Sequence, residues 1–448
     1  MNNIQLGKDN IKKIFWMYAI PSVLSMIAQT TATMIDSIFI GRYVGSSGLS
    51  AITIFFPLIG IIIGIASMFS IGGTTLAGIE LGKENKTKSN NYFNVTLAIS
   101  LILSIAFTTL IQLSLPILLN FLNIDASTVQ QILDYVGTIS WFFVFFMLNF
   151  ALTFFLKLDG KPVLVVATMV SGTLINIVLD YILIAKLGYG LTGAALATGL
   201  SQLIPFIVLI IYTVKKSNWQ IKKPKFNFKE IKQIAFNGSS ELLSQSAVSI
   251  AGLIINALII SRVGVIGLAG YAVSQQVASI AGSLGYGFAE SNQAALSYNY
   301  GAQLNHRVEA LRNYTLKANL FTGVIIFMGA NLFGQEVSSL FVKEPETIEM
   351  SVHILKYFSF AFIFMGANIT IGTYYTAIND PISSGAITLF RSLIALLIGL
   401  AILPALFGND GIWLSIIFRE VSTIIVGIIL LKLKPYGIKQ ETSLKMAA

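Results

Sequence analysis

Two carboxylates stand where the chain is otherwise apolar: Asp36, inside the run Ile14–Ile40, and Asp180, near the end of Val163–Ile184. An ionisable group in hydrocarbon is costly and by default marks an ion or substrate path. Asn176 lies one turn before Asp180 on the same helical face, because residues four apart stack, and Thr198 belongs to the next apolar run. Taken singly, a Thr in a membrane helix bonds its own backbone and an Asn joins helices. Together with two carboxylates they form an all-oxygen set. Two carboxylates brought close cannot both stay ionised without a cation. The set therefore holds either a proton near neutral pH or a hard cation such as Na⁺. In the second half of the chain the matching candidates are Glu241 and Glu290, a possible second coupling or substrate site, whereas Arg391, Arg419, Glu420 and Lys356 read as paired or snorkelling charges.

Other chemistries are excluded by what the chain lacks. It has no cysteine, so disulfides and thiolate metal sites are absent. Its two histidines, His306 and His353, are too few and too far apart for zinc. No GxxxxGK[ST] segment occurs, so ATP does not drive this chain directly. Aspartates clustered for Mg²⁺–diphosphate, as an intramembrane prenyltransferase needs, do not occur either. The expectation is a non-enzyme with no cofactor, whose only inorganic ligand is a coupling ion, H⁺ or Na⁺.

The elements that must position these groups are transmembrane helices. The chain of 448 residues is 55% hydrophobic and only 11% charged, with a mean hydropathy of +0.78, whereas a soluble domain carries about 25% charged residues. Runs such as Leu97–Ile111, Val163–Ile184 and Ala386–Leu406 approach or reach the ~20 residues that cross a bilayer. The first run is too long for a signal-peptide core and is read as a retained helix. The pattern predicts twelve helices near 14–40, 49–80, 92–121, 129–157, 162–186, 191–214, 231–263, 265–298, 311–342, 346–378, 383–407 and 411–433. Pro21, Pro57 and Pro205 fall inside helices and predict kinks.

Lysine and arginine fix the expected orientation. Lys8, Lys12 and Lys13, then Lys83, Lys86 and Lys88, Lys157 and Lys161, the stretch Lys215–Lys232, Arg307, Arg312 and Lys317, and the tail lysines all fall on one side. Only Arg42, Lys186, Arg262 and Lys343 fall on the other. Basic loops stay cytoplasmic, so both termini are expected inside, in a bacterial or archaeal cytoplasmic membrane. The net charge of +9 is then a membrane signature, and no nucleic-acid partner is expected. With this topology Asp36 lies about four residues and Asp180 about six from the outer ends of their helices, roughly 6–9 Å below the outer surface. Thr198, on a helix returning from outside near Leu191, falls at a similar depth. Glu241 lies roughly 15 Å up from the inner end of its helix, and Glu290 nearer the inner end of the next.

The basic stretch Lys215–Lys232 is the one substantial linker. It reads as an anchor for anionic headgroups and divides the chain into an N-lobe (1–214), a linker (215–230) and a C-lobe (231–448) of six helices each. The halves resemble each other at a near-constant offset. Ile35-Asp36-Ser37-Ile38-Phe39-Ile40-Gly41-Arg42 aligns with Ile255-Asn256-Ala257-Leu258-Ile259-Ile260-Ser261-Arg262, Gly82 with Gly301, Gly160-Lys161-Pro162 with Asn379-Asp380-Pro381, and Gly193 near Gly411. An even number of helices per half makes these parallel repeats about an axis along the membrane normal, with a central cleft as the natural place for a substrate. Gln29, Phe150, Phe154, Gln245 and Gln275 are candidate lining residues of such a cleft.

At this level the chain resembles the multidrug and toxic compound extrusion (MATE) family, in the prokaryotic branch that holds MepA-like and DinF-like exporters. The resemblance rests on Met34-Ile35-Asp36-Ser37-Ile38-Phe39-Ile40-Gly41, Gly188-Tyr189-Gly190-Leu191-Thr192-Gly193-Ala194-Ala195 and Ser297-Tyr298-Asn299-Tyr300-Gly301-Ala302, and spans nearly the whole chain. It implies an all-α polytopic protein of twelve helices in two pseudo-symmetric six-helix lobes. It also implies exchange of amphipathic, often cationic, organic compounds for H⁺ or Na⁺, the basis of multidrug efflux and antibiotic resistance. The family's N-lobe cation site maps onto Asp36, Asn176, Asp180 and Thr198, and its helix-7 glutamate onto Glu241. The carboxylate that other branches carry on helix 10 has no counterpart beyond that helix's first turn. A monomer is expected. The alternative is a lipid-linked oligosaccharide flippase of related fold, which predicts a strongly cationic cavity; only Lys356, Arg391 and Arg419 lie within helices here. The loop Gly82-Lys83-Glu84-Asn85-Lys86 also lacks the acidic-basic signature of a major-facilitator transporter.

Overall fold

A computed structural model of the protein describes residues 5–121 and 126–436. Every regular element among the described residues is helical. In chain order they are α1 (Ile11–Tyr43), α2 (Ser46–Gly82), α3 (Lys86–Phe121), α4 (Ala126–Ile132), α5 (Thr138–Ser140), α6 (Phe143–Leu158), α7 (Pro162–Asp180), α8 (Gly190–Lys216), α9 (Phe228–Arg262), α10 (Val265–Ser291), α11 (Gln293–Gly301), α12 (Asn305–Leu332), α13 (Gly334–Phe341), α14 (Pro345–Ala377), α15 (Pro381–Leu389), α16 (Ala395–Phe407) and α17 (Asp410–Leu433). Three π-helical stretches interrupt this order: π1 (Leu133–Gly137), π2 (Tyr181–Lys186) and π3 (Phe390–Ile394).

Ten of the described helical segments are long and apolar enough to cross a membrane, and an eleventh is the segment around π1, bent by 47° where α5 meets α6. The remaining pass, α10 continued by α11, is long enough but carries Ser274, Gln275, Gln276, Ser279, Ser283 and a series of glycines, which dilute its apolar content. With α4–α6, α10–α11, α12–α13 and α15–α16 each taken as one pass, the chain makes the twelve passes expected. It is a multi-pass membrane protein.

As expected, the three prolines fall inside continuous helices. α1, α2 and α8 run on through Pro21, Pro57 and Pro205. Neighbouring groups satisfy what a membrane proline leaves unbonded, and α7 makes room for one of them. A Cβ on Gly172 would stand 2.9 Å from Pro205 Cγ, so only glycine lets α7 lie against that ring. The interruptions are instead the π turns, each of which widens one turn and re-aims the side chains beside it.

The chain forms two compact units, and their boundaries differ from those expected at 214 and 231. One contains 27–238; the other contains Gly7–Met26 and, of the described residues, 239–436. The reason lies in α1 and α9, each of which divides between units. Within the first unit, Gly72 of α2 and Gly238 of α9 let two backbones touch: a Cβ on Gly72 would meet the Ile234 carbonyl oxygen at 2.1 Å, and one on Gly238 the Met68 carbonyl oxygen at 1.9 Å. Within the second unit, Phe15 of α1 stacks on Phe288 with centroids 6.3 Å apart, and a Cβ on Gly287 would stand 2.9 Å from Val23 Cα. Close backbone approach through small residues is the usual way membrane helices associate.

The linker is part of the first unit. Trp219 is buried between Phe93 and Phe155, and its Nε1 donates to the Phe155 carbonyl at 2.8 Å. Asp159 accepts from Ser217 Oγ and Asn218 Nδ2. Asn90, Asn91 and Asn94 on α3 take the place of a neighbouring strand: their oxygens accept the backbone N–H groups of Gln220, Lys225 and Lys222, and their amides donate to the carbonyls of Gln220 and Lys225. An irregular segment thus has its backbone bonded without a sheet.

Candidate cation site

Asp36 sits on the part of α1 that belongs to the first unit, and Asp180 is the last residue of α7 before π2. Asp180 is fully buried, Asn176 is 8% exposed, and Asp36 and Thr198 are half-buried. Ile40, Ile184 and Ala194 belong to one apolar cluster with Leu191 and Ala195. Asp36 and Asp180 come about one turn before Ile40 and Ile184, and Thr198 comes one turn after Ala194. Since α7 and α8 are consecutive passes and run antiparallel, all three side chains fall on the same side of that cluster, within about 6 Å of its level.

The two carboxylates interact electrostatically, and Tyr135 interacts with both. Tyr135 lies on π1, 7% exposed and in the same apolar cluster. It was not legible in the sequence, being one of 16 tyrosines; only the π turn, a feature often found at functional sites, singles it out.

What distinguishes this group is its hydrogen bonding. Among the described residues, Asp36 Oδ1, both oxygens of Asp180 and Asn176 Nδ2 are buried with no hydrogen-bond partner. Thr198 therefore does not donate to Asp180; its own carbonyl accepts from Ser201 Oγ. Buried polar groups are almost always bonded, and the exceptions concentrate where a protein binds something. Carboxylate oxygens without donors, an amide and a hydroxyl suit a proton shared between Asp36 and Asp180, or a hard monovalent cation.

The second unit treats its charges in the opposite way. Glu420 on α17 is fully buried and accepts from Arg391 Nε on π3 at 3.0 Å, from Arg419 at 3.0 Å and from Asn368 Nδ2 on α14 at 2.8 Å. Arg391, Arg419 and Glu420 are thus the paired charges expected, while Lys356 is exposed. Glu241 on α9 and Glu290 on α10 are half-buried and interact with each other. Glu241 lines a small cavity of about 30 Å³ with Ser240, Ser244, Tyr286, Asn368 and Arg391. Tyr286 thus lines the same cavity as Glu241 and as Arg391 of the ion-pair network.

The proposed lining residues divide between the units. In the first, Gln29 is exposed, while the Phe150 ring packs at a tilt between Phe146 and Phe154, the latter 6% exposed beneath the Lys157 ammonium. In the second, Gln245 is half-buried and Gln275 exposed.

A family model described as MatE matches residues 21–182 and 242–400. The multidrug export protein MepA of Staphylococcus haemolyticus is 23% identical over 422 residues, covering 92% of this chain and 91% of its own length. MepA of Staphylococcus aureus (strain bovine RF122 / ET3-1) is 24% identical over 427 residues, covering 92% of each. Among solved structures, an outward-facing multidrug resistance MATE family transporter of the MOP superfamily superposes with a TM-score of 0.92 at 22% identity, over 97% of this chain and 98% of that one. A MOP superfamily transporter from Pyrococcus furiosus superposes at 0.90 with the same identity and coverage.

Proposed function

The chain belongs to the MatE family, and on that premise we propose that it is a secondary active exporter of amphipathic, often cationic, organic compounds, driven by exchange for H⁺ or Na⁺. The observation that carries the ion-coupled part is the pair of carboxylates Asp36 and Asp180, of which three buried oxygens have no hydrogen-bond donor among the described residues. A buried, unpaired carboxylate is strongly disfavoured, so the pair takes its counter-charge from solution. Asn176 and Thr198 are the proposed remaining ligands, and Tyr135 joins them by position. Glu241 and Glu290 are proposed as a secondary proton or substrate contact, and Gln29, Phe150, Gln245 and Gln275 as drug contacts. The protein is proposed to act as a monomer, in a cytoplasmic membrane with both termini inside.

Coupling requires that the ion bind two states of the transporter unequally. In this reading, ion entry at Asp36 and Asp180 favours a state with weakened drug affinity, and by reciprocity bound drug weakens ion binding by the same factor. The test is drug affinity of the purified protein across pH and Na⁺ concentration. Lowering pH, or raising Na⁺ if that is the ion, weakens drug binding, and the dependence disappears in Asp36→Asn. Drug affinity indifferent to both ions overturns antiport through this site. The absence of native cysteine also makes orientation direct to measure. Single cysteines at Arg42 and Arg262 label from outside, and at Lys86 and Lys225 only after permeabilisation; the reverse pattern inverts the topology.

A further inference from the structure

The linker's backbone is pinned, and its side chains are not. While Asn90, Asn91 and Asn94 hold its main chain against α3, the side chains of Ile221, Phe226 and Phe228 are 52%, 53% and 83% exposed. Interspersed with them are Lys222, Lys223, Lys225 and Lys229, all exposed and, among the described residues, engaged in no ion pair. Beside this edge lies an open groove of about 430 Å³ whose lining includes Lys88, Lys225, Asn85, Asn227, Phe226 and Glu230. Of its donors, the Asn91 amide is spent on the Lys225 carbonyl and on Glu230 Oε2, and the Lys88 ammonium lies over the Tyr92 ring; the Lys225 ammonium and two further amides are uncommitted among the described residues. Asn85 and Asn227 spend their oxygens on the backbone N–H groups of Lys88 and Lys229, and their amide NH₂ groups make no hydrogen bond among the described residues. Lys88 contacts Glu80 at 3.3 Å, but Lys83 contacts the same oxygen at 3.3 Å and can neutralise it alone.

The groove also sits at the level where headgroups are found. The start of α3 and the start of α9 line it, and the ends of membrane-spanning helices lie in the interface. Exposed aromatic and aliphatic side chains alternating with lysines belong at the boundary between acyl chains and an anionic surface. A nucleic-acid or soluble acidic partner accounts for the lysines and leaves the phenylalanines without a role.

We propose that this groove, between the start of α3 and the linker, is a binding site for an anionic phospholipid. Lys88, Lys225 and the amides of Asn85 and Asn227 hold the phosphate, Glu230 accepts from headgroup hydroxyls, and Phe226 and Phe228 enter the acyl boundary. The site is independent of the drug-export reading. The test is native mass spectrometry of the detergent-purified full chain titrated with phosphatidylglycerol or phosphatidylcholine. Phosphatidylglycerol binds more tightly, and Lys88→Gln with Lys225→Gln weakens it about thirty-fold while phosphatidylcholine binding stays unchanged. Phe226→Ser with Phe228→Ser weakens both lipids. Equal affinity for the two lipids, or phosphatidylglycerol binding unchanged in the double lysine variant, overturns the proposal. Full displacement of phosphatidylglycerol by an equal concentration of inorganic phosphate makes the ligand free phosphate and overturns it as well. Since purified protein has no sidedness, a failure here is separate from a failure of the proposed orientation.

Discussion

Asp180 in the first unit and Glu420 in the second are both fully buried carboxylates on membrane-spanning helices, and both lie beside a π turn: π2 follows Asp180, and π3 carries the arginine that reaches Glu420. Their surroundings are opposite. Glu420 has two guanidiniums and an amide within hydrogen-bonding distance, whereas Asp180 has no donor at either oxygen among the described residues. The repeat relationship sharpens the contrast, for Asp36 aligns with Asn256 in the second half. Burial alone therefore does not mark a working carboxylate. A charge whose counter-ion is covalently part of the fold is static; one that must draw its counter-ion from solution can exchange it.

The contrast can be broken most decisively at Asp180. Asp180→Asn should reduce ion-driven dye export in proteoliposomes to background, while the thermal unfolding temperature stays level or rises, since an amide costs less to bury than an unpartnered carboxylate. Normal transport by this variant would remove the basis of the comparison. Glu420→Gln should behave in the opposite sense. It strands Arg391 and Arg419 with no carboxylate between them and should destabilise the protein by about 3–5 kcal/mol, read as a lower unfolding temperature. Replacing all three by apolar residues of similar volume should restore much of that loss. A stable Glu420→Gln protein that has lost export would place the triad in the coupling path instead. The smallest effect is expected at Tyr135→Phe, which removes one hydroxyl from the site. A net change of about 1 kcal/mol should appear as a several-fold shift in the pH or Na⁺ dependence of export, with unfolding unchanged. No shift would assign Tyr135 to packing alone.

Several of these features were open to direct reading. The length of the apolar runs set the number of passes, because a bilayer imposes its thickness on each helix and admits no unbonded backbone. Asp36, Asn176, Asp180 and Thr198 were found because charge and amide are rare in such runs, and because a fixed rise per residue turns position into depth. Arg391, Arg419, Glu420 and Lys356 stood out for the same reason, but whether each is paired or snorkels was left open by the sequence.

Other features depend on which surfaces meet, and sequence spacing carries little of that. Nothing local predicts that Gly72 and Gly238 bring two backbones together, that the first half of α1 joins the second unit, or that three asparagines fasten the linker to α3. The π turns are not legible because an extra residue in a helix leaves no mark in composition. Tyr135 lies on such a turn. The sequence by itself determined a helical membrane protein, its passes and the four candidate cation ligands, because hydrophobicity and helical rise act along one dimension. Tertiary structure alone decided which buried charges are paired and which are left bare, since a hydrogen-bond partner is a neighbour in space and not in the chain.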